Sequence, residues 1–363
     1  MTQPLANNRP THVVIDRQAF KHNLARVRDY CPDAKVMAVI KADAYGHGMV
    51  VAAKAMEDAD EFGVTSLDDV QQLRAAGITT PMTLLSAVLN SNELSLLAPL
   101  NVRPTIYDLA QLSAFENASD HCDLSVWLKV DTGMGRLGLS PAELPDALRR
   151  LAKIKAIRDI SLMSHLANAD LPGHVSNAEQ LDQFKHLATE YAYKELSILN
   201  SGGIISFADA AESMTRPGVM LYGISPIIGQ PAAHFDLQPV MTLKSSLIAV
   251  RELPSGSCIG YGSTYVLDQD TRIGVVACGY GDGYPRHAKS GTSVWVNDSL
   301  VPLIGRVSMD MLTVDLGPVQ AKVGDPVVLW GAENPVETVA NSAGTIAYEL
   351  CCGILPRVER VVV

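Results

Sequence analysis

Between about residues 36 and 223 the chain alternates short apolar runs with longer segments whose apolar positions recur at helical spacing. The runs 36–40, 62–65, 82–85, 124–130, 160–164 and 196–199 read as buried strands, and 49–57, 67–76, 142–151 and 178–193 read as helices. Such alternation builds parallel β/α units. Roughly eight of them over some 200 residues predict a closed barrel rather than an open sheet. Residues 12–15 read as a further strand ahead of a first helix at 17–30. After residue 223 the pattern changes. Pro226, Pro231 and Pro239 mark a crossing segment, and beyond it 242–250, 272–277, 292–296, 301–304, 311–316 and 326–329 are extended runs separated by glycine turns. The expected fold class is α/β: an N-terminal TIM-like (β/α)8 barrel over 1–237, followed by a mostly β C-terminal domain over 238–363, with residues 10–16 placed to pair with the second domain.

Composition narrows what this fold could do. Hydrophobic residues make up 47% of 363, ample for a large core, while the formal net charge is -10 and the sequence pI is near 5.4. An acidic chain without an arginine- and lysine-rich stretch interleaved with aromatics argues against nucleic acid and anionic membranes as partners. No apolar run reaches the roughly 18 residues a membrane span needs. The start, Met1 to Pro10, is polar and carries no signal-like apolar core, so a cytoplasmic location is expected. Six scattered cysteines, Cys31, Cys122, Cys258, Cys278, Cys351 and Cys352, form no Cys-x-x-Cys or Cys/His cluster, so no metal site is expected and reduced thiols are the default.

Candidate chemistry begins where the first barrel strand ends. The run Val-Met-Ala-Val-Ile over 36–40 stops on Lys41 and breaks into a loop with Tyr45, Gly46 and Gly48. An ammonium there is either desolvated, which lowers its pKa, or consumed chemically, and both routes give a reactive amine. The same residue also fits a lysine that snorkels to the rim of the sheet. In barrels of this kind chemistry collects at the C-terminal ends of strands, and Lys41, Lys129, His165, Ser201 and Arg216 all fall at or just after such ends.

The stretch Ala-Val-Ile-Lys-Ala-Asp-Ala-Tyr-Gly-His-Gly over 38–48 resembles the cofactor-lysine motif of bacterial alanine racemases. Eight further blocks, at 128–138, 164–170, 200–202, 216–223, 260–262, 279–283, 305–310 and 346–349, repeat the resemblance in order. The resemblance implies a pyridoxal 5'-phosphate-dependent isomerase that interconverts L- and D-alanine by two-base proton transfer, for peptidoglycan synthesis or alanine breakdown. It implies that Lys41 holds the cofactor and serves as the base on one face, with Tyr261 of a partner subunit as the base on the other. A phenol ordinarily titrates near 10, so that role requires cationic or hydrogen-bonding neighbours, and the resemblance gives them as His165 and Arg216. Arg216 is implied to face the pyridine nitrogen and, because an arginine keeps its proton, to leave that nitrogen unprotonated. Tyr45, Ser201, Tyr348, Gly218 and Val219 are the implied phosphate ligands. Arg136 and Met309 are implied to bind the substrate carboxylate, Lys129 is the position that some members carbamylate, and Tyr280 and Arg306 are implied to line the entrance.

The family further implies a head-to-tail homodimer with shared sites and a small amino acid as substrate. One departure stands out: some members have a histidine three residues before the Asn-Ser pair, where this chain has Ser197. A shorter hydrogen-bond network behind Arg216 is therefore expected. Three rivals share parts of the pattern. A related decarboxylase would want an acid in place of Arg216. A racemase of wider amino-acid range differs only in entrance shape. A cofactor-binding barrel would need neither the β half nor Tyr261.

Overall fold

Eight short parallel strands run in chain order around a barrel in the computed structural model, which describes residues 9–118 and 123–363. They are Lys35–Val39, Glu61–Val64, Met82–Leu84, Val102–Ile106, Leu124–Lys129, Ile157–Met163, Leu196–Ser197 and Met214–Thr215. The last pairs with the first, Lys35 opposite Met214. The remaining seam, between the seventh and eighth strands, lacks a regular ladder. Ser213 bridges it, its Oγ accepting from Leu196 N at 2.6 Å, and Arg216 N donates to Leu199 O at 3.0 Å. The barrel is therefore nearly closed.

Helices cover the outside because their apolar faces need the sheet. Arg17–Tyr30 buries Ala19, Phe20, Leu24 and Val27 and is capped by Asp16, whose side chain accepts from Gln18 N and Ala19 N. Leu67–Ala75 starts with a reciprocal Ser66/Asp69 capping box. Inside the barrel, Arg103 bridges the buried Glu61 and Glu195 and lies over the Trp127 ring at 4.7 Å, while Met37, Trp127, Met163 and Met214 fill the middle. Above these packed side chains a cavity opens at the strands' C-terminal ends, lined by Val39, Lys41, Lys129 and Met163 among others.

The second sheet has the order Thr271–Val276, Leu312–Asp315, Ser299–Ile304, Ser293–Val296, Pro326–Trp330, Met241–Leu253, His12–Ile15, Glu359–Val362. The long strand Met241–Leu253 also pairs with Thr271–Val276, curling the sheet on itself. His12–Ile15 adds to this sheet, antiparallel to residues 241–244 and parallel to residues 359–362, so the N-terminal strand ties the two halves together.

Several elements differ from the sequence expectation. The strand Val102–Ile106 carries Pro104, which argues against a strand in isolation, and Met214–Thr215 is two residues long. Helices Ser91–Leu97 and Leu112–Glu116 lie within the barrel half, and Val336–Ala343 and Ala347–Cys352 lie within the β half. The helix expected at 178–193 runs Val175–Ala188, because His174 caps it earlier by accepting from Ser176 N. Among the described residues Cys31, Cys278 and Cys351 are buried unpaired thiols and Cys258 and Cys352 exposed ones. Cys122 and residues 1–8 of the polar start lie outside the described residues.

Candidate active site

The first barrel strand delivers Lys41 through an unusual turn. Ala42, Asp43, Ala44 and Tyr45 all have φ between 51° and 54°, one turn of left-handed helix made without glycine, where the sequence suggested an irregular loop. Each such residue costs about 1–2 kcal/mol, so the surroundings must hold it. Ala44 N donates to Ile40 O at 2.9 Å, Gly46 N to Ala42 O at 3.0 Å, and Met49 N to Asp43 Oδ1 at 2.7 Å. Beneath, His47 Nδ1 lies 2.9 Å from Tyr45 O and 3.0 Å from Ala44 O, both acceptors, so this nitrogen carries the ring proton. Burial holds the His47 imidazole down to about 4. Gly46 then abuts the second domain, where a Cβ would lie 2.1 Å from Cys351 O.

Lys41, Tyr45, Lys129, Arg136, His165, Ser201, Arg216, Gly218, Val219 and Tyr348 line a single cavity of ≈ 640 Å³ at the top of the barrel. Ten positions spread over three hundred residues of chain thus meet. Burial lowers the Lys41 pKa, and Arg136 adds to the effect. Lys129 is pushed down to about 8 by burial and then by Arg216 and Arg136. His165 is held well below its ordinary range by burial and by the same cations, so it is neutral near pH 7.

Arg216 is buried, not the surface arginine that an Arg-Pro-Gly turn also allows. Its guanidinium donates to Ser197 Oγ and to Ser164 O, and Ser197 Oγ donates onward to Met214 O at 2.7 Å. The network behind Arg216 is therefore short but continuous, with Ser197 as a direct acceptor. Burial pushes the Arg216 pKa down to about 10, which still leaves it charged near neutrality. Asp131 does not form an ion pair with Lys129; its Oδ1 accepts from Gly133 N at 2.9 Å and Met134 N at 2.8 Å, shaping the loop that leads to Arg136.

In the same cavity, hydroxyls and backbone amides gather closely. Ser201 Oγ accepts from Gly218 N at 2.8 Å, and a Cβ on Gly218 would stand 2.6 Å from Tyr45 Oη, so only glycine lets the phenol and these amides approach. Asn200 caps the short helix Ser201–Ser206 by accepting from Gly203 N, and its Nδ2 lies 3.4 Å from His165 Nε2. Tyr222, for which sequence reasoning assigned no role, donates from its hydroxyl to Val39 O at 2.8 Å and packs its ring 4.7 Å from that of Tyr45. Its place inside the Arg-Pro-Gly block was the available signal.

Tyr261, Tyr280, Arg306 and Met309 do not line this cavity. They gather on the second domain instead. The Gly260 turn packs on the Arg306 backbone, Arg306 Nη1 would meet a Cβ on Gly262 at 2.9 Å, and Tyr280 N donates to Ser308 O at 3.0 Å. On this patch Tyr261 is 70% and Met309 53% exposed. Chemically, the cavity holds an amine with a lowered pKa among three further cations, Lys129, Arg136 and Arg216, against Asp170 as its carboxylate among the described lining residues. It suits a dianionic, aldehyde-bearing cofactor and an anionic substrate.

Comparison with known proteins agrees with this geometry. Residues 15–226 match the family described as alanine racemase, N-terminal domain, and residues 240–362 match alanine racemase, C-terminal domain. The alanine racemase of Yersinia pestis is 45% identical over 347 residues, 95% of this chain and 96% of that protein. An Escherichia coli protein named alanine racemase, biosynthetic, is 46% identical over 349 residues, 95% and 97% of the two chains. Among solved structures, biosynthetic alanine racemase from Pseudomonas aeruginosa superimposes with a TM-score of 0.95 at 39% identity, covering 98% of this chain and 99% of that one. Alanine racemase from Bartonella henselae with covalently bound pyridoxal phosphate superimposes with a TM-score of 0.87 at 26% identity, over 98% and 99%. On the strength of both domain matches and this coverage, the chain belongs to the alanine racemase family.

Proposed function

We propose that this chain interconverts L-alanine and D-alanine and so supplies D-alanine, using pyridoxal 5'-phosphate held in the cation-lined cavity. The observation that carries the reading is the joining, in one cavity, of Lys41 with its lowered pKa, the buried Arg216 and the Tyr45–Ser201–Gly218 cradle. The residues present fit the cofactor. A close-packed cradle of hydroxyls and backbone amides suits its phosphate, and a desolvated amine suits its aldehyde. When bound, the cofactor supplies a conjugated ring that accepts the electron pair left as the α-proton departs.

The protein's own residues do the rest. Lys41 Nζ takes or returns the α-proton on one face, and Tyr261 Oη from a partner subunit does so on the other. Arg136, with the Met309 amide, fixes the substrate carboxylate. His165 and Arg216 form the polar chain behind the tyrosine, and Arg216, held by Ser197 and Ser164, keeps its proton toward the ring nitrogen. Tyr45, Tyr348, Ser201 and the amides of Gly218 and Val219 bind the phosphate, and Tyr280 and Arg306 line the entrance. Lys129 is the site of carbamylation, a reading supported by its pKa near 8, which leaves neutral amine available at physiological pH. Carbamylation would replace a cation that repels Arg136 with an anion that orients it.

The exposure of Tyr261 and Met309 outside the cavity supports a homodimer with shared sites, and the gap between the two family matches, 226 to 240, supports a division near 237. Among the described residues no helix is long and apolar enough to cross a membrane. We place the enzyme in the cytoplasm, where exposed unpaired thiols such as Cys258 and Cys352 stay reduced. The test is incubation with pyridoxal phosphate and L-alanine in deuterated water, with the α-proton followed by NMR and the enantiomers by chiral separation. Loss of the α-proton together with D-alanine is expected. Amine formation from an amino acid, or bound cofactor with no exchange, would contradict the assignment.

A further inference from the structure

Asp282, 1% exposed, lies between two arginines far down the sequence in either direction. Arg9 Nη2 approaches Oδ2 at 2.8 Å and Arg357 Nε approaches Oδ1 at 2.8 Å. Both arginines continue to Asp310, Arg357 Nη2 at 2.9 Å and Arg9 Nη1 at 3.5 Å. Two carboxylates and two guanidiniums thus form one closed network on the second domain. Burying such a carboxylate carries a desolvation penalty that its ion pairs do little more than offset, so stability alone is a poor reason for it.

What the network holds is more telling. Asp282 Oδ2 accepts from Gly279 N at 3.0 Å, fixing the turn that carries Tyr280, and Asp310 directly follows Met309. The two turns are stitched backbone to backbone, Tyr280 N to Ser308 O at 3.0 Å and Gly281 N to Met309 O at 2.8 Å, and Arg357 Nη2 also donates to Met309 O at 3.4 Å. There is no slack between them. A Cβ on Gly279 would lie 2.2 Å from Ser308 O, and one on Gly281 would lie 2.6 Å from Arg357 Nη2. Asp282 itself lies outside the lining of the cofactor cavity.

We propose that Asp282 is a positioning residue for substrate binding: through Arg357 and Arg9 it locks the Tyr280 and Met309 turns in one register, so that the second domain presents them to the partner's cavity already placed. This rests on the reading above in which Tyr280 and Met309 serve the partner's site. Asp282→Asn keeps an oxygen for the Gly279 amide and removes the charge. The expected result is a KM for L-alanine raised about tenfold with kcat within about twofold, the pattern of lost ground-state positioning rather than lost chemistry. Arg357→Gln, at an exposed position, should move KM in the same direction by a smaller factor and covers the case in which Asp282→Asn folds poorly. A merely structural role would lower Tm and the active fraction with KM unchanged. A KM within twofold of wild type in whichever variants fold overturns the proposal. Wild-type enzyme that fails to racemise alanine would instead overturn the reading on which it rests.

Discussion

At the scale of single residues, the site runs on desolvation. Lys41, Lys129 and His165 are all shifted toward their neutral forms, first by burial and then by cationic neighbours, with Arg136 acting on each of the three. His47, below the Lys41 turn, shows the cost of the same device. Its folded pKa of about 4 lies below the ordinary histidine value, so between about pH 6.5 and 4 the unfolded chain binds more protons than the native one. Stability therefore falls as pH drops through that window. At pH 5 this one group should account for about 2 kcal/mol. Urea midpoints at pH 7 and pH 5 check it: His47→Gln should lose less stability on acidification than wild type by that amount, and equal losses would contradict the assignment. Which residues could be recognised from sequence follows from how local their signal is. Lys41 stood out because an ammonium at the end of an apolar run is locally anomalous. The resemblance pointed to Ser197 behind Arg216 and to a shorter network there, but that Ser197 accepts directly from the guanidinium was not legible, since it depends on the seventh and eighth barrel strands meeting at a seam without a ladder.

At the scale of elements, the left-handed turn 42–45 is the piece on which the others bear. It aims Lys41 and Tyr45 into the same cavity, and it is wedged against the helix Ala347–Cys352, which brings Tyr348. Gly46 is the contact. With φ of 82° and no room for a Cβ beside Cys351 O, Gly46→Ala should destabilise the fold by about 3 kcal/mol or more. It should also weaken cofactor binding, because Tyr45 and Tyr348 would no longer face each other. Thermal unfolding and a pyridoxal phosphate absorbance titration read both effects; unchanged values would show that the two domains are not wedged there. Barrel strands with continuous apolar runs were legible, and the two that were not have plain reasons: Pro104 interrupts one, and the other is two residues held mainly by its neighbours. The left-handed turn had little sequence signature, because Ala42, Ala44 and Tyr45 give no warning of positive φ and Asp43, a residue type that tolerates it, accounts for one position only.

At the scale of the molecule, the chain is divided against itself. The barrel holds the Lys41 amine, the cations and the Tyr45–Ser201–Gly218 approach, while Tyr261, Tyr280, Arg306 and Met309 stand on the second domain and do not line that cavity. A two-base reaction needs both sets within reach of one α-carbon, and the proposed head-to-tail pair of chains would join them twice, once at each site. The order of motifs along the sequence already divided the residues in this way, since Lys41 falls in the β/α half and the Gly-Tyr-Gly turn in the β half. How far apart they lie within one chain required the fold. The most direct measurement of this account mixes two variants, Lys41→Ala and Tyr261→Phe, each inactive alone, and assays alanine racemisation after subunits exchange. Shared sites predict that the mixed dimer carries one site with both residues intact, restoring about a quarter of wild-type activity at random exchange. No recovery, with exchange verified, would place both bases in one chain and contradict the account.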